Sequence, residues 1–84
     1  ILIMTESQFQ SKIIKEYESE GWFVLKLIKT NKNGIPDLLC LKKNEDPLFI
    51  EVKAKKGIVS KLQEYRIKEL IKNGFQAFVK RCEK

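Results

Sequence analysis

The stretch Gly34-Ile35-Pro36-Asp37-Leu38-Leu39-Cys40-Leu41, then Lys42-Lys43-Asn44-Glu45-Asp46-Pro47, then Leu48-Phe49-Ile50-Glu51-Val52-Lys53-Ala54 decides the fold. Two runs rich in branched and aromatic residues flank a short polar segment suited to a turn, which is the pattern of a β-hairpin. Strands are expected over 35–41 and 48–54. If the hairpin turns symmetrically about Asn44, Leu41 faces Pro47, Leu39 faces Phe49 and Asp37 faces Glu51. Alternate side chains of a strand share a face, so Glu51 and Lys53 point the same way. That register sets two carboxylates side by side, roughly 4.5–5.5 Å apart at Cβ.

Like charges directly across a sheet repel each other, and a divalent cation between them turns the repulsion into a binding site. Oxygen ligands suit Mg²⁺ or Mn²⁺. Such an ion lowers the pKa of a bound water, and Lys53 beside it could orient that water or steady charge on a phosphate under attack. The 84 residues include no histidine. That absence removes His-based general bases, Ser-His triads, zinc fingers and histidine-metal nucleases. Carboxylates, lysine and a hard metal ion are left to carry any chemistry near neutral pH.

Working outward, Thr5 and Gln8 form a capping-box pattern ahead of Phe9, Ile13 and Tyr17 at helical spacing, with Gly21 as the stop. Trp22 to Ile28 reads as a strand, followed by a polar connection from Thr30 to Gly34. On the far side of the hairpin, Ser60 caps a second helix carrying Leu62, Ile67, Leu70 and Ile71 and closed by Asn73-Gly74. Phe75 to Val79 form a last strand before a basic tail that contains Cys82. The expected class is α/β (α+β) in the order αβββαβ. A single domain is expected over 1–84, with Ile1-Leu2-Ile3-Met4 set aside as a disordered or vector-derived start.

Both helices carry polar residues on their inward stripes. Glu6 precedes Phe9 by three positions and Ile13 by seven, and Gln63 stands in the same relation to Ile67 and Leu70. A third carboxylate could bind a metal directly or through water, and an amide could position water or phosphate. Each residue also has a plainer explanation. Glu6 suits a helix N-terminus through the macrodipole, and Gln63 completes a capping box with Ser60. Asp37 after Pro36 suits a turn, and Glu51 with Lys53 suits a solvated sheet face. Taken together, five such residues converging on one surface favour a site.

Hydrophobic residues make up 43% and charged residues 33%, as in an ordinary globular domain. Seventeen Lys and Arg against eleven Asp and Glu give a net charge of +6, which favours a polyanionic partner. Lys55, Lys56, Lys61 and Lys32, with Lys26, Lys29 and the Lys80-Arg81 pair, are the candidate phosphate contacts. No apolar run approaches the ~18–20 residues of a membrane span, so no membrane partner is expected. With no export signal legible, a cytoplasmic site (bacterial or virus-infected host cell) is expected. Two cysteines make neither a disulfide framework nor a metal cluster, and Cys40 reads as a small core residue. No organic cofactor is expected.

At the level of motif, Gly34-Ile35-Pro36-Asp37, followed after thirteen residues by Glu51-Val52-Lys53, resembles the signature of the PD-(D/E)xK nuclease superfamily. The Glu6 helix, the glycine before Pro-Asp and the downstream Ser60-x-x-Gln63 narrow the resemblance to the VRR-NUC family, the virus-type replication-repair nucleases, in its stand-alone viral and bacterial form. It covers about Thr5 to Arg81. The resemblance implies a restriction-endonuclease-like core with a mixed sheet flanked by helices. It implies metal ligation by Asp37, Glu51 and the Val52 carbonyl, with Mg²⁺ or Mn²⁺ as the ion. Lys53 takes the role of catalytic lysine, and Glu6 and Gln63 take accessory roles. It further implies a homodimer that hydrolyses phosphodiesters of branched DNA such as four-way junctions. The competing readings are a non-catalytic nucleic-acid-binding module on the same scaffold, and a small structural protein of a larger complex.

Overall fold

The computed structural model describes residues 3–83, so Ile1 and Leu2 of the proposed start lie outside the described residues. Met4, by contrast, packs partly buried against the core. Helix α1 spans Glu6–Ser19, strand β1 Phe23–Lys26, β2 Leu38–Leu41 and β3 Leu48–Lys53. Helix α2 spans Lys61–Lys72 and strand β4 Gln76–Arg81. The order is the αβββαβ expected. Both capping boxes form, Thr5 with Gln8 and Ser60 with Gln63, so each helix starts where its sequence signal places it.

The four strands form one sheet in the order β1-β2-β3-β4. The first three are antiparallel and β4 lies parallel to β3, the connection that requires α2 as a crossover. The hairpin register is the symmetric one, with Leu39 opposite Phe49 and Leu38 opposite Ile50. Asn44 takes the left-handed conformation (φ 65°) that the tight connection demands.

Alternation divides the sheet. Leu38, Cys40, Ile50 and Val52 are fully buried against Phe9 and Ile13 of α1, and Cys82 joins them. The basic tail expected after 79 is therefore not a tail. β4 runs on to Arg81, and the Cys82 N–H continues the ladder onto the Lys53 carbonyl (2.9 Å), turning the thiol into the core. On the opposite face, α2 covers the β4 side and meets Glu51 through Gln63. Cross-strand partners place Leu25, Leu39, Phe49 and Ala77 in one row of this face. Its β1 end has no cover: Phe23 is 63% exposed and Leu25 39%. The apolar residues of α2 are likewise incompletely covered, Leu62 and Ile71 being exposed, because one short helix cannot span four strands.

Candidate active site

Two strands end at one place. β2 begins only at Leu38 rather than at 35, because Pro36 has no N–H for the ladder and the chain bends at Asp37. The Val52 N–H, which a continuing ladder would pair with the β2 backbone, donates to Asp37 Oδ2 instead (2.8 Å). A residue's N–H and C=O point to the same edge of a strand, so the Val52 carbonyl also faces the side where β2 has ended. The next residue reverses, and the Lys53 carbonyl serves the β4 side.

Gly34 sets up this bend. It sits at φ +79°, and a Cβ there would lie 2.7 Å from Leu62 Cγ. The same loop is tied to α2 by Arg66, whose Nε donates to the Asn33 carbonyl (2.8 Å). Gly34→Ala should lower stability by about 1–3 kcal/mol through strain and overlap, read as a lower denaturant midpoint at unchanged slope.

Glu51 is 1% exposed and Lys53 8%, although both are charged. The Lys53 Nζ lies 3.6 Å from Glu51 Oε2. The same oxygen accepts a hydrogen bond from Gln63 Nε2 (3.2 Å). Glu51 Oε1 is buried without any hydrogen-bond partner among the described residues. Burial first, and then the negative charge of Asp37, push the Glu51 carboxyl from 4.5 up to about 7, against the opposing pull of Lys53. Hydrogen bonding to Asp37 adds to the upward push. A buried acid held beside a second acid, with one oxygen left orphaned, is a costly arrangement that a cation relieves. The donor set, carboxylate oxygens plus a main-chain carbonyl, fits a small hard dication.

Gln63 reconciles its two readings. Its Oε1 accepts from the Ser60 N–H (2.9 Å) as a capping box requires, while its Nε2 reaches Glu51. Glu6 is placed differently from the acid pair. Its Oε1 accepts from the Ala54 N–H (3.2 Å), and among the described residues no three Asp, Glu, His or Cys side chains gather as a metal cluster. Lys55, Lys56, Lys61 and Lys32 are exposed. Lys80 and Arg81, expected as phosphate contacts, also have partners within the fold. Lys80 Nζ stands over the Tyr17 ring at 5.2 Å, and Arg81 donates to main-chain carbonyls of the loop after Lys53. Sequence spacing carried no signal for either, since both partners lie far away in the chain.

An acid pair and a lysine thus stand at the end of a hairpin, on a mixed sheet with one helix per face, an α+β domain in the order αβββαβ. Residues 4–83 match the family model of the VRR-NUC domain. The chain belongs to that family. Its fold is similar to a solved structure described as a VRR-NUC domain, at TM-score 0.76 and 26% identity, covering 90% of this chain and 84% of the other. Comparison with curated proteins returns no match.

Proposed function

We propose that the chain is a metal-dependent endodeoxyribonuclease that cuts branched DNA, four-way junctions foremost, as a homodimer. The observation that carries this reading is the buried Glu51 beside Asp37, with an orphaned Oε1 and the Lys53 ammonium 3.6 Å from its other oxygen. Asp37, Glu51 and the Val52 carbonyl would hold Mg²⁺ or Mn²⁺. When bound, such an ion supplies Lewis-acid stabilisation of phosphate charge and a more acidic water. Lys53 presents a donor to the phosphate oxygen or to the attacking water from a rigid strand. Gln63 fixes the Glu51 carboxylate, and Glu6 fixes the backbone just past Lys53. A non-catalytic phosphate binder would gain nothing from a buried acid pair. The net charge of +6 and the exposed lysines support a nucleic-acid substrate, read by shape through phosphate contacts. The uncovered Phe23 and Leu25 support pairing, since a domain this small leaves apolar surface that a second copy could bury.

The test is cleavage of a synthetic four-way junction beside linear duplex, with Mg²⁺, with Mn²⁺ and with chelator, run alongside the solution mass. Metal-dependent, junction-selective cutting by a dimer is the expected result. Binding without cutting under any metal would make the chain a DNA-holding module. A further expected outcome concerns Lys55→Ala/Lys56→Ala, which should flatten the slope of log affinity against log salt by about 1–2. An unchanged slope would remove both lysines from the interface.

A further inference from the structure

The loop that follows Lys53 is gripped from two sides. On the β4 side, Arg81 Nη1 donates to the carbonyls of Ala54 (3.1 Å), Lys55 (3.4 Å) and Gly57. On the α1 side, Glu6 Oε1 accepts from the Ala54 N–H, and a Cβ on Gly57 would approach the same oxygen to 3.3 Å. Inside the loop, the Gly57 N–H closes a turn onto the Ala54 carbonyl (3.0 Å). The loop has no ladder of its own, and its side chains Lys55 and Lys56 are exposed. A guanidinium is a planar fork whose Nη atoms stand one bond farther from the backbone than a lysine ammonium, and here Nη1 alone meets all three carbonyls. Lys53 and Arg81 are direct neighbours across the parallel β3–β4 ladder, which puts that fork beside the lysine-bearing strand end.

We propose that Arg81 is a positioning residue. Its Nη1 serves the protein main chain rather than phosphate. It gathers the carbonyls of the Ala54–Gly57 loop against β4 and, with Glu6 opposite, fixes the direction in which Lys55 and Lys56 meet the DNA strand leaving the site. The substrate half of this assignment rests on the nuclease reading, whereas the clamp itself stands on the hydrogen bonds. An arginine in a basic cluster ordinarily counts as a phosphate ligand, and here the Nη1 of an exposed guanidinium is committed to three main-chain carbonyls instead.

Two readouts on the full chain separate these roles. The first needs no DNA: amide hydrogen exchange at Gly57 in the wild type, Arg81→Ala and Arg81→Lys. Loss of the fork should speed exchange at Gly57 by about tenfold in both variants, while amides of β3 keep their protection. Arg81→Lys keeps the charge, and its circular dichroism and Tm establish that the fold persists. The second readout is affinity for a labelled four-way junction under chelator, as a double-mutant cycle with Lys55→Ala/Lys56→Ala. Arg81→Ala should weaken binding by about three- to tenfold in the wild-type background and by almost nothing once both lysines are gone. Rescue of wild-type affinity by Arg81→Lys, or an additive loss in the cycle, would show Arg81 to be a phosphate contact and overturn the proposal. Unchanged exchange at Gly57 would overturn the clamp. A wild type without affinity for DNA overturns the nuclease reading and the substrate half with it, and the exchange data then judge the clamp alone.

Discussion

Lys53→Ala is expected to slow cleavage by about 10²–10³-fold at saturating metal while leaving junction affinity within about threefold. The asymmetry follows from where the ammonium sits. Lys53 is 8% exposed, so it is poorly placed to contribute to a general phosphate surface, and its charge is directed at Glu51. On the proposed reading, exposed Lys55 and Lys56 would carry the affinity and the buried lysine would act on the reacting group. One confounding effect is separable. Lys53 pulls the Glu51 carboxyl downward, so its removal lets that carboxyl rise further and weakens metal binding near neutral pH. Rates should therefore be compared at saturating Mg²⁺ and at a pH well above 7, where Glu51 is charged in both proteins. A variant still within tenfold of wild type under those conditions would remove Lys53 from the chemistry.

Glu51→Gln should do two opposite things. In the metal-free protein above pH 7 it should stabilise the fold by about 1–2 kcal/mol, a rise of about 5–10 °C in Tm, because it removes a buried charge that repels Asp37. With a divalent cation present the order should reverse, since on the proposed reading only the wild type would gain stability from binding. The pH dependence has a defined sign. The Glu51 carboxyl stands at about 7 in the folded protein against 4.5 for the ordinary group. The folded state therefore holds a proton that the unfolded chain has released. Wild-type stability from this group is full below pH 4.5 and is lost as the pH rises through about 7. The gap between wild type and Glu51→Gln should close toward pH 5, where the wild-type carboxyl is itself neutral. A metal held as proposed would compete with the proton for the same oxygens, so apparent metal affinity should rise by up to about tenfold per pH unit until about 7 and then level off. A variant no more stable than wild type at pH 8 would mean that the acid pair is already relieved within the protein.

Legibility in the sequence followed the range of the interaction. The hairpin register was readable because a side-chain period of two and a symmetric polar turn leave few alternatives, and Leu39 does face Phe49. The helix starts were readable because a capping box is completed within four residues. Asp37, Glu51 and Lys53 announced themselves as charges within apolar runs of sequence. What could not be read depended on partners distant in the chain. Arg81 belonged to a basic cluster until its acceptors, 24 to 27 residues earlier, were seen to be carbonyls. Cys82 resembled a tail residue because Lys80 and Arg81 hid the alternation that carries β4 onward. The exposure of Phe23 and Leu62 depends on how far α2 reaches across the sheet, which no local pattern encodes.

Gln63 has a consequence for which substitutions the chain can accept. Its oxygen and its nitrogen are committed to different partners at opposite ends of one amide. Glutamate, the usual alternative in a capping box, would complete the helix start but would bring a third negative charge to Glu51. Asparagine keeps both atoms and is one methylene too short to serve them together. Lysine would please the acid and abandon the cap. Of these four residues glutamine alone meets both demands, so mutational drift at position 63 is confined by the geometry of a single amide.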